Sequence, residues 1–254
     1  MKKYLTTAVV LMVCMFNTNI VAAQDSTKQK QEDSAWIKFQ QYIEYMIHND
    51  WSNLSKYKDA NAALAAPAAN EQRVVFMGNS ITEGWMNTDP SFFTGNKYIN
   101  RGIGGQTTPQ MLVRFRADVI ALQPKVVVIL AGTNDIAGNT GPSTPEMIEN
   151  NLASMSDLAK AHNIKVILCS VLPVYDYPWK PGLQPAEKIV ALNAWMKKYA
   201  ADNDCIYVDY WTPLADARKG MKKEYADDGV HPTPAGYKVM EPLVQQAIRQ
   251  ALKK

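Results

Sequence analysis

Arg73–Trp85, RVVFMGNSITEGW, is the stretch from which the fold is read. Its apolar run Val74-Val75-Phe76-Met77 ends at Gly78 and is followed at once by Asn79, Ser80, Ile81, Thr82 and Glu83. β-Branched and aromatic residues bounded by glycine predict a buried strand, and a serine with glutamate three residues later predicts a helix start. Ser80 and Glu83 have that spacing. Ser80 is therefore expected in a sharp strand-to-helix turn, its hydroxyl above the sheet edge and its amide at a helix N-terminus. A serine nucleophile is exposed in such a turn, and negative charge is stabilised there. A plain helix cap is the alternative use of the same hydroxyl.

Downstream, strands and helices alternate. Tyr98–Asn100 reads as a short strand, Thr108–Leu122 as a helix, Lys125–Ala131 as a continuous apolar strand and Thr144–Ala161 as a helix. Ile164–Val171 is the next strand, Pro185–Asp202 a helix, Ile206–Asp209 a last strand and Thr233–Leu252 a closing helix. Strands that are apolar throughout and separated by helices predict a parallel sheet covered on both faces. The expected fold class is α/β, a three-layer α/β/α sandwich with its ligand site at the carboxyl ends of the strands.

Upstream, Lys2 and Lys3 precede an apolar stretch from Leu5 to Phe16, and Val21-Ala22-Ala23 offers small residues for cleavage. Residues 1–23 read as a removed secretory signal, so the mature chain is expected in a periplasm or outside the cell. The apolar run is shorter than the roughly 20 residues of a spanning helix, and Val13 is bulky for the position before a lipidated Cys14. Gln24–Glu32 is polar and lacks an apolar period, a flexible lead. Trp36, Ile37, Phe39, Tyr42, Ile43, Met46 and Ile47 then recur with helical spacing, and a second helical piece near Asn53–Ala66 stops at Pro67. Residues 24–70 are thus expected to be a lead and helical extension, and 71–254 the main domain.

The chain of 254 residues carries 27 Lys and Arg against 24 Asp and Glu, and losing Lys2 and Lys3 cuts the excess of three to one. That balance argues against a nucleic-acid partner. Cys169 and Cys205 sit late in one predicted strand and at the start of another. In neighbouring parallel strands they would be about 13 Å apart, too far for a disulfide. Two free, buried cysteines are expected. No CxxC or Cys/His cluster points to a metal, and no cofactor is expected.

Three loops leave the strand ends. In Asn100–Thr108 (NRGIGGQTT), three glycines in four positions allow close backbone approach, but neither GxGxxG nor a GK[ST] ending is present for a phosphate. The Gly105 amide can serve an oxyanion, or the glycines can simply make a turn. Gly132-Thr133-Asn134-Asp135 follows the apolar strand, so the Asn134 amide can donate to developing negative charge, with an Asx turn as the alternative. In Asp227–Pro232 (DDGVHP), an aspartate three residues before a histidine can hold one imidazole nitrogen and leave the other free as a general base. A turn that happens to precede histidine is the plainer reading. His48 and His162 stand in helical stretches, so a base, if the chain has one, is His231.

The order serine, glycine, asparagine, then Asp/His resembles the four blocks of the SGNH hydrolases, the GDSL-like lipase/acylhydrolase family. The matching segments are GNSIT with Ser80, GIGGQTT with Gly105, GTND with Asn134, and DGVH with Asp228 and His231. The wording is most similar to the branch containing platelet-activating-factor-acetylhydrolase-like and carbohydrate esterases. The resemblance implies a flavodoxin-like fold and metal-free ester hydrolysis. It gives Ser80 the role of nucleophile, His231 that of base and Asp228 that of its orienter. The Ser80 amide, the Gly105 amide and the Asn134 side chain become the oxyanion donors. One departure is visible: Asn79 stands where the family name has aspartate.

Leu172–Leu183 (LPVYDYPWKPGL) carries Tyr175, Tyr177 and Trp179 among prolines beside Lys180, a set suited to a sugar or another cyclic group. Packing against Trp195 or Trp211 is the alternative. The expected reaction is acetyl removal from a glycan or small-molecule ester. The rivals are a lysophospholipase or broad acyl-esterase, and an inactive carbohydrate-binding protein on the same fold. Stable membrane insertion of the mature chain is not expected, and nothing in the sequence fixes an oligomeric state.

Overall fold

The computed structural model describes residues 36–38 and 40–253. The expected signal segment and the polar lead Gln24–Glu32 lie outside the described residues. The chain divides into two compact units, one ending at Trp51 and the other spanning Ser52–Lys254. In the first, residues 40–49 are helical, as the apolar spacing predicts.

The second unit runs α1 (Lys58–Ala63), β1 (Val74–Gly78), α2 (Ser80–Thr88), α3 (Pro90–Asn96), β2 (Ile99–Gly102), α4 (Thr108–Asp118), β3 (Val126–Leu130), α5 (Thr133–Ala137), α6 (Pro145–Ala161), β4 (Lys165–Cys169), α7 (Ala186–Asp202), β5 (Ile206–Val208), α8 (Trp211–Leu214) and α9 (Pro234–Lys253). All neighbouring strands pair in parallel, in the order β2-β1-β3-β4-β5. β1 and β3 are buried at every position, which is why they read as continuous apolar runs rather than as alternations.

Alternate strand residues feed two cores. Val75, Met77, Val127 and Ile129 meet Met111 of α4, Leu152 of α6 and Met196 of α7 on one face. Val74, Phe76, Val126 and Val128 meet Trp85 of α2, Phe93 of α3 and Met240 of α9 on the other. This is the period-two geometry of a strand, and it makes the three layers. The chain leaves β1 toward β2 on one side, while β3 lies on the other. The order therefore reverses between β1 and β3, and a crevice opens at their carboxyl ends. Gly78 is level with Gly102 and Leu130 in the register, so the loops after β1, β2 and β3 emerge together.

Several expectations change in detail. The helix expected over Asn53–Ala66 shortens to α1, and its segment belongs to the main unit instead of a separate extension. Tyr57 donates its hydroxyl to Gly102 O, and the Asn61 amide donates to Asp118 Oδ1 at 2.7 Å. The domain edge therefore moves from residue 71 to Ser52. The GTND segment, read as a loop, is the short helix α5, while Leu122 closes a separate 3-10 turn after α4. Cys169 and Cys205 are both buried, and neither is in a disulfide. Register sets Ile167 beside Ile206, so the two cysteines are offset by three residues, about 10 Å instead of 13 Å.

Candidate active site

The β1–α2 turn delivers Ser80 into the crevice. Asn79, not Ser80, caps α2: its Oδ1 accepts from Ile81 N at 3.0 Å, and its carbonyl accepts from Glu83 N at 2.9 Å. The expected Ser80–Glu83 capping pair does not form, because a carboxamide oxygen one residue earlier already takes the free amide. One acceptor oxygen is all that this cap uses, and asparagine supplies it as aspartate would. The Ser80 hydroxyl is thereby released, and its Oγ lies 2.9 Å from His231 Nε2. As the first helical residue, Ser80 also has an amide with no acceptor in the preceding turn.

Packing fixes α2. A Cβ on Gly102 would stand 2.2 Å from Glu83 N, so β2 and α2 approach to a backbone contact that only glycine permits. Trp85, one turn past Ser80, stacks on Phe92 at 4.7 Å and on Tyr237 at 5.1 Å between ring centroids. Truncating a buried aromatic of this kind costs about 3–5 kcal/mol. The Tyr237 hydroxyl also donates to Ile81 O at 2.8 Å, tying α9 to α2.

Asp228 and His231 form a closed local unit. Asp228 Oδ1 accepts from Val230 N at 2.9 Å and His231 N at 2.8 Å, while Oδ2 lies 2.6 Å from His231 Nδ1. Burial opposes the Asp228 charge, but the His231 ring and the two amides outweigh it, and the carboxyl titrates below its ordinary value. Such a carboxylate remains ionised opposite Nδ1 and fixes the imidazole with Nε2 toward Ser80.

Two further segments reach the same crevice. Gly104 lies against Ser80, since a Cβ built on it would be 3.9 Å from Ser80 Cβ. Asn134 Nδ2 donates to Gln106 O at 2.9 Å, and its second N–H remains a donor. Asp135 joins the same two segments, accepting from Thr108 N at 2.9 Å and from Thr108 Oγ1 at 2.5 Å. Burial raises the Asp135 carboxyl above its ordinary value, against the Thr108 bonds that lower it. Beneath them, the buried Arg114 donates to Gly78 O at 3.0 Å and to Gln106 Oε1 at 2.5 Å, and pairs with Asp118 at 2.9 Å.

The aromatic loop separates into three different environments. Trp179 is 45% exposed, with its ring 6.3 Å from the His231 ring. Tyr177, expected to face a ligand, is only 1% exposed. Its hydroxyl is held by Thr133 Oγ1 at 2.8 Å and Thr133 O at 2.9 Å, so it props α5 and backs Trp179. Tyr175 is exposed, under the Arg218 guanidinium at 5.0 Å. Lys180, expected as a charge beside a sugar, donates to Ala137 O at 2.8 Å and closes the end of α5.

A hydroxyl bonded to an imidazole that is bonded to a carboxylate can transfer its proton and attack an electrophilic carbon. Cys169 offers no competing nucleophile, because full burial pushes its thiol up to about 12. Concavities of about 310 and 620 Å³ lie at the opposite, amino ends of the strands, along Lys125 and Asn163. The paired groups, and not cavity size, locate the site. Among the described residues no group of three or more His, Cys, Asp or Glu side chains is placed to hold a metal ion. Glu83, Gln106, Arg114 and Asp135 escaped the sequence reading as members of this site. Of these, only Glu83 carried a signal, and it pointed to a cap.

The sequence pattern of the GDSL-like Lipase/Acylhydrolase family matches residues 76–239. The crystal structure of a GDSL-like lipase from Bacteroides thetaiotaomicron is 51% identical, superposes with a TM-score of 0.78 and covers 80% of this chain and 100% of that one. Esterase TesA of Pseudomonas aeruginosa is 28% identical over 185 residues, 68% of this chain and 85% of that protein. The uncharacterized lipoprotein YqeF of Bacillus subtilis is 27% identical over 188 residues, 63% and 77% respectively.

Proposed function

The chain belongs to the GDSL-like lipase/acylhydrolase family and is a serine ester hydrolase, and from that premise we propose that Ser80, His231 and Asp228 carry out the reaction on acetylated glycans outside the cytoplasm. The observation that carries the site is the chain of contacts from Ser80 Oγ to His231 Nε2, 2.9 Å, and from His231 Nδ1 to Asp228, 2.6 Å. His231 takes the Ser80 proton as Oγ attacks the ester carbonyl. The imidazolium, held by Asp228, then protonates the leaving alcohol, and water releases the acyl group by the same route.

Charge on the tetrahedral intermediate falls to the Ser80 amide, the Gly105 amide and the free N–H of Asn134. Each such donor is worth about 3 kcal/mol of barrier. The acetyl-glycan reading rests on Trp179, whose exposed face beside His231 suits a flat, polar ring better than a long acyl chain. Export is supported by the Lys2-Lys3 and Leu5–Phe16 leader. Similarity to a protein described as a lipoprotein points the same way. No helix among the described residues is long and apolar enough to cross a membrane.

An acyl-length series of chromogenic esters tests the substrate class. Rates that fall beyond acetyl or propionyl support it, while rates that rise toward octanoyl favour a lysophospholipase or broad acyl-esterase. Acetate release from acetylated glycans by the intact protein, absent in Ser80→Ala, settles the glycan reading. Glycan binding without release would instead mark a binding protein on the hydrolase fold.

A further inference from the structure

The Asn134 side chain enters the crevice with its amide already engaged, since Nδ2 donates to Gln106 O at 2.9 Å. A carbonyl accepts from Nδ2 and repels Oδ1, so this bond fixes which end of the carboxamide is the donor. The setting of the Asn134 amide therefore depends on where the Gln106 carbonyl points.

That carbonyl belongs to the peptide joining Gln106 to Thr107, whose N–H donates to Gln110 Oε1 at 3.1 Å. In a trans peptide C=O and N–H leave opposite edges of one plane, so Asn134 and Gln110 grip the same peptide from its two sides. The residues at its ends are held separately. Gln106 Oε1 accepts from Arg114 Nε at 2.5 Å, and Gln106 Nε2 donates to Ser52 O at 2.7 Å. The Thr107 hydroxyl lies 2.9 Å from Thr140 Oγ1 and 3.2 Å from Gln110 Oε1. What remains is rotation of the peptide plane between two anchored ends. A full flip would drive Thr107 from φ −99° to positive φ, which a β-branched residue resists. Smaller rotations meet no such barrier and still misalign the carbonyl with Asn134, and the bond from Thr107 N to Gln110 opposes them. Asn139, just beyond α5, adds a tie between this loop and the cleft wall, donating through Nδ2 to Gly105 O at 3.2 Å and accepting from Trp179 Nε1 at 3.3 Å.

Gln110 also completes a capping box with Thr107 at the start of α4. Such a cap stabilises a helix and gives no task to the carbonyl of the peptide it holds. Here that carbonyl is the acceptor of Asn134. We propose that Gln110 is a positioning residue for ester hydrolysis: by holding Thr107 N it holds Gln106 O, and through it the Asn134 amide. The inference rests on the oxyanion reading of Asn134 and deepens it.

Gln110→Met removes the acceptor and keeps the length of the side chain. With p-nitrophenyl acetate its kcat is expected to fall about tenfold at unchanged KM, a part of the hundredfold or more that follows outright loss of a donor. The same substitution made in Asn134→Ala is expected to change kcat less than about twofold, because the group it positions is gone. A residue that only caps α4 would lower the melting temperature and leave kcat intact, and that result overturns the inference. A tenfold loss that persists in the Asn134→Ala background overturns it too. Gln110→Ala removes the same acceptor with a smaller side chain and is read in the same way if the methionine variant does not fold. Wild-type kcat in Asn134→Ala brings down the oxyanion reading and the inference together, whereas slow turnover there beside an unimpaired Gln110→Met brings down the inference alone.

Discussion

The two sides of the Ser80–His231 hydrogen bond are built by opposite means. Ser80 stands on a helix wedged between a glycine of β2 and a stack of buried rings, so its position depends on Gly102, Trp85, Phe92 and Tyr237. His231 and Asp228 have side chains 41% and 42% exposed, and their geometry is closed within four consecutive residues. Ser80 is placed by the core, whereas His231 is placed by a turn. A residue placed by the core is robust to local change. A residue placed by a turn has the reverse property.

If both sides serve one proton transfer, removing either should cost the same. Ser80→Ala and His231→Ala are each expected to lose roughly a millionfold in kcat, with the double variant no worse. Additive losses in steady-state kinetics would separate the two sides. Asp228→Asn sharpens the contrast, because it alters only the turn: kcat should fall roughly 10⁴-fold through loss of the imidazole orientation.

The same variant carries a pH signature. The Asp228 carboxyl titrates below its ordinary value in the folded chain, so its contacts stabilise fully above that ordinary value. Between the two values the unfolded chain binds the proton and the folded chain does not, and this stability is lost as pH falls through the window. The melting temperatures of wild type and Asp228→Asn should therefore converge on acidification, and a gap that widens instead would contradict the assignment. Asn134→Ala is expected to cost about 3 kcal/mol, a hundredfold or more in kcat. A raised KM at unchanged kcat would deny the oxyanion role. Tyr237→Phe, on the core side, keeps the ring stack and loses one bond to Ile81 O, so urea unfolding should show about 1 kcal/mol less stability. Its kcat should change no more than a few-fold.

The same contrast explains what the sequence discloses. Buried parallel strands announce themselves as apolar runs, and DGVH encloses its geometry in four residues, so the sheet, Ser80 and the Asp228–His231 pair were legible. The cap on α2 was misassigned by one residue because Asn79 and Ser80 are both capping types, and only the position of His231 decides which hydroxyl is free. Tyr177 reads like Tyr175 and Trp179, yet Thr133, 44 residues away, draws it inward. Asn139 carries no local pattern, since its partners Gly105 and Trp179 lie 34 and 40 residues distant. Contacts of that separation arise from the strand order, which brings the loops after β1, β2 and β3 to one edge.

The most direct test is to trap the acyl-enzyme. The purified protein is mixed with p-nitrophenyl acetate, quenched in acid within the first turnovers and mapped by peptide mass. One acetyl group on the peptide carrying Ser80, absent in His231→Ala, is the predicted result. An unmodified Ser80 during active turnover, or acetylation that persists undiminished without His231, would contradict the account.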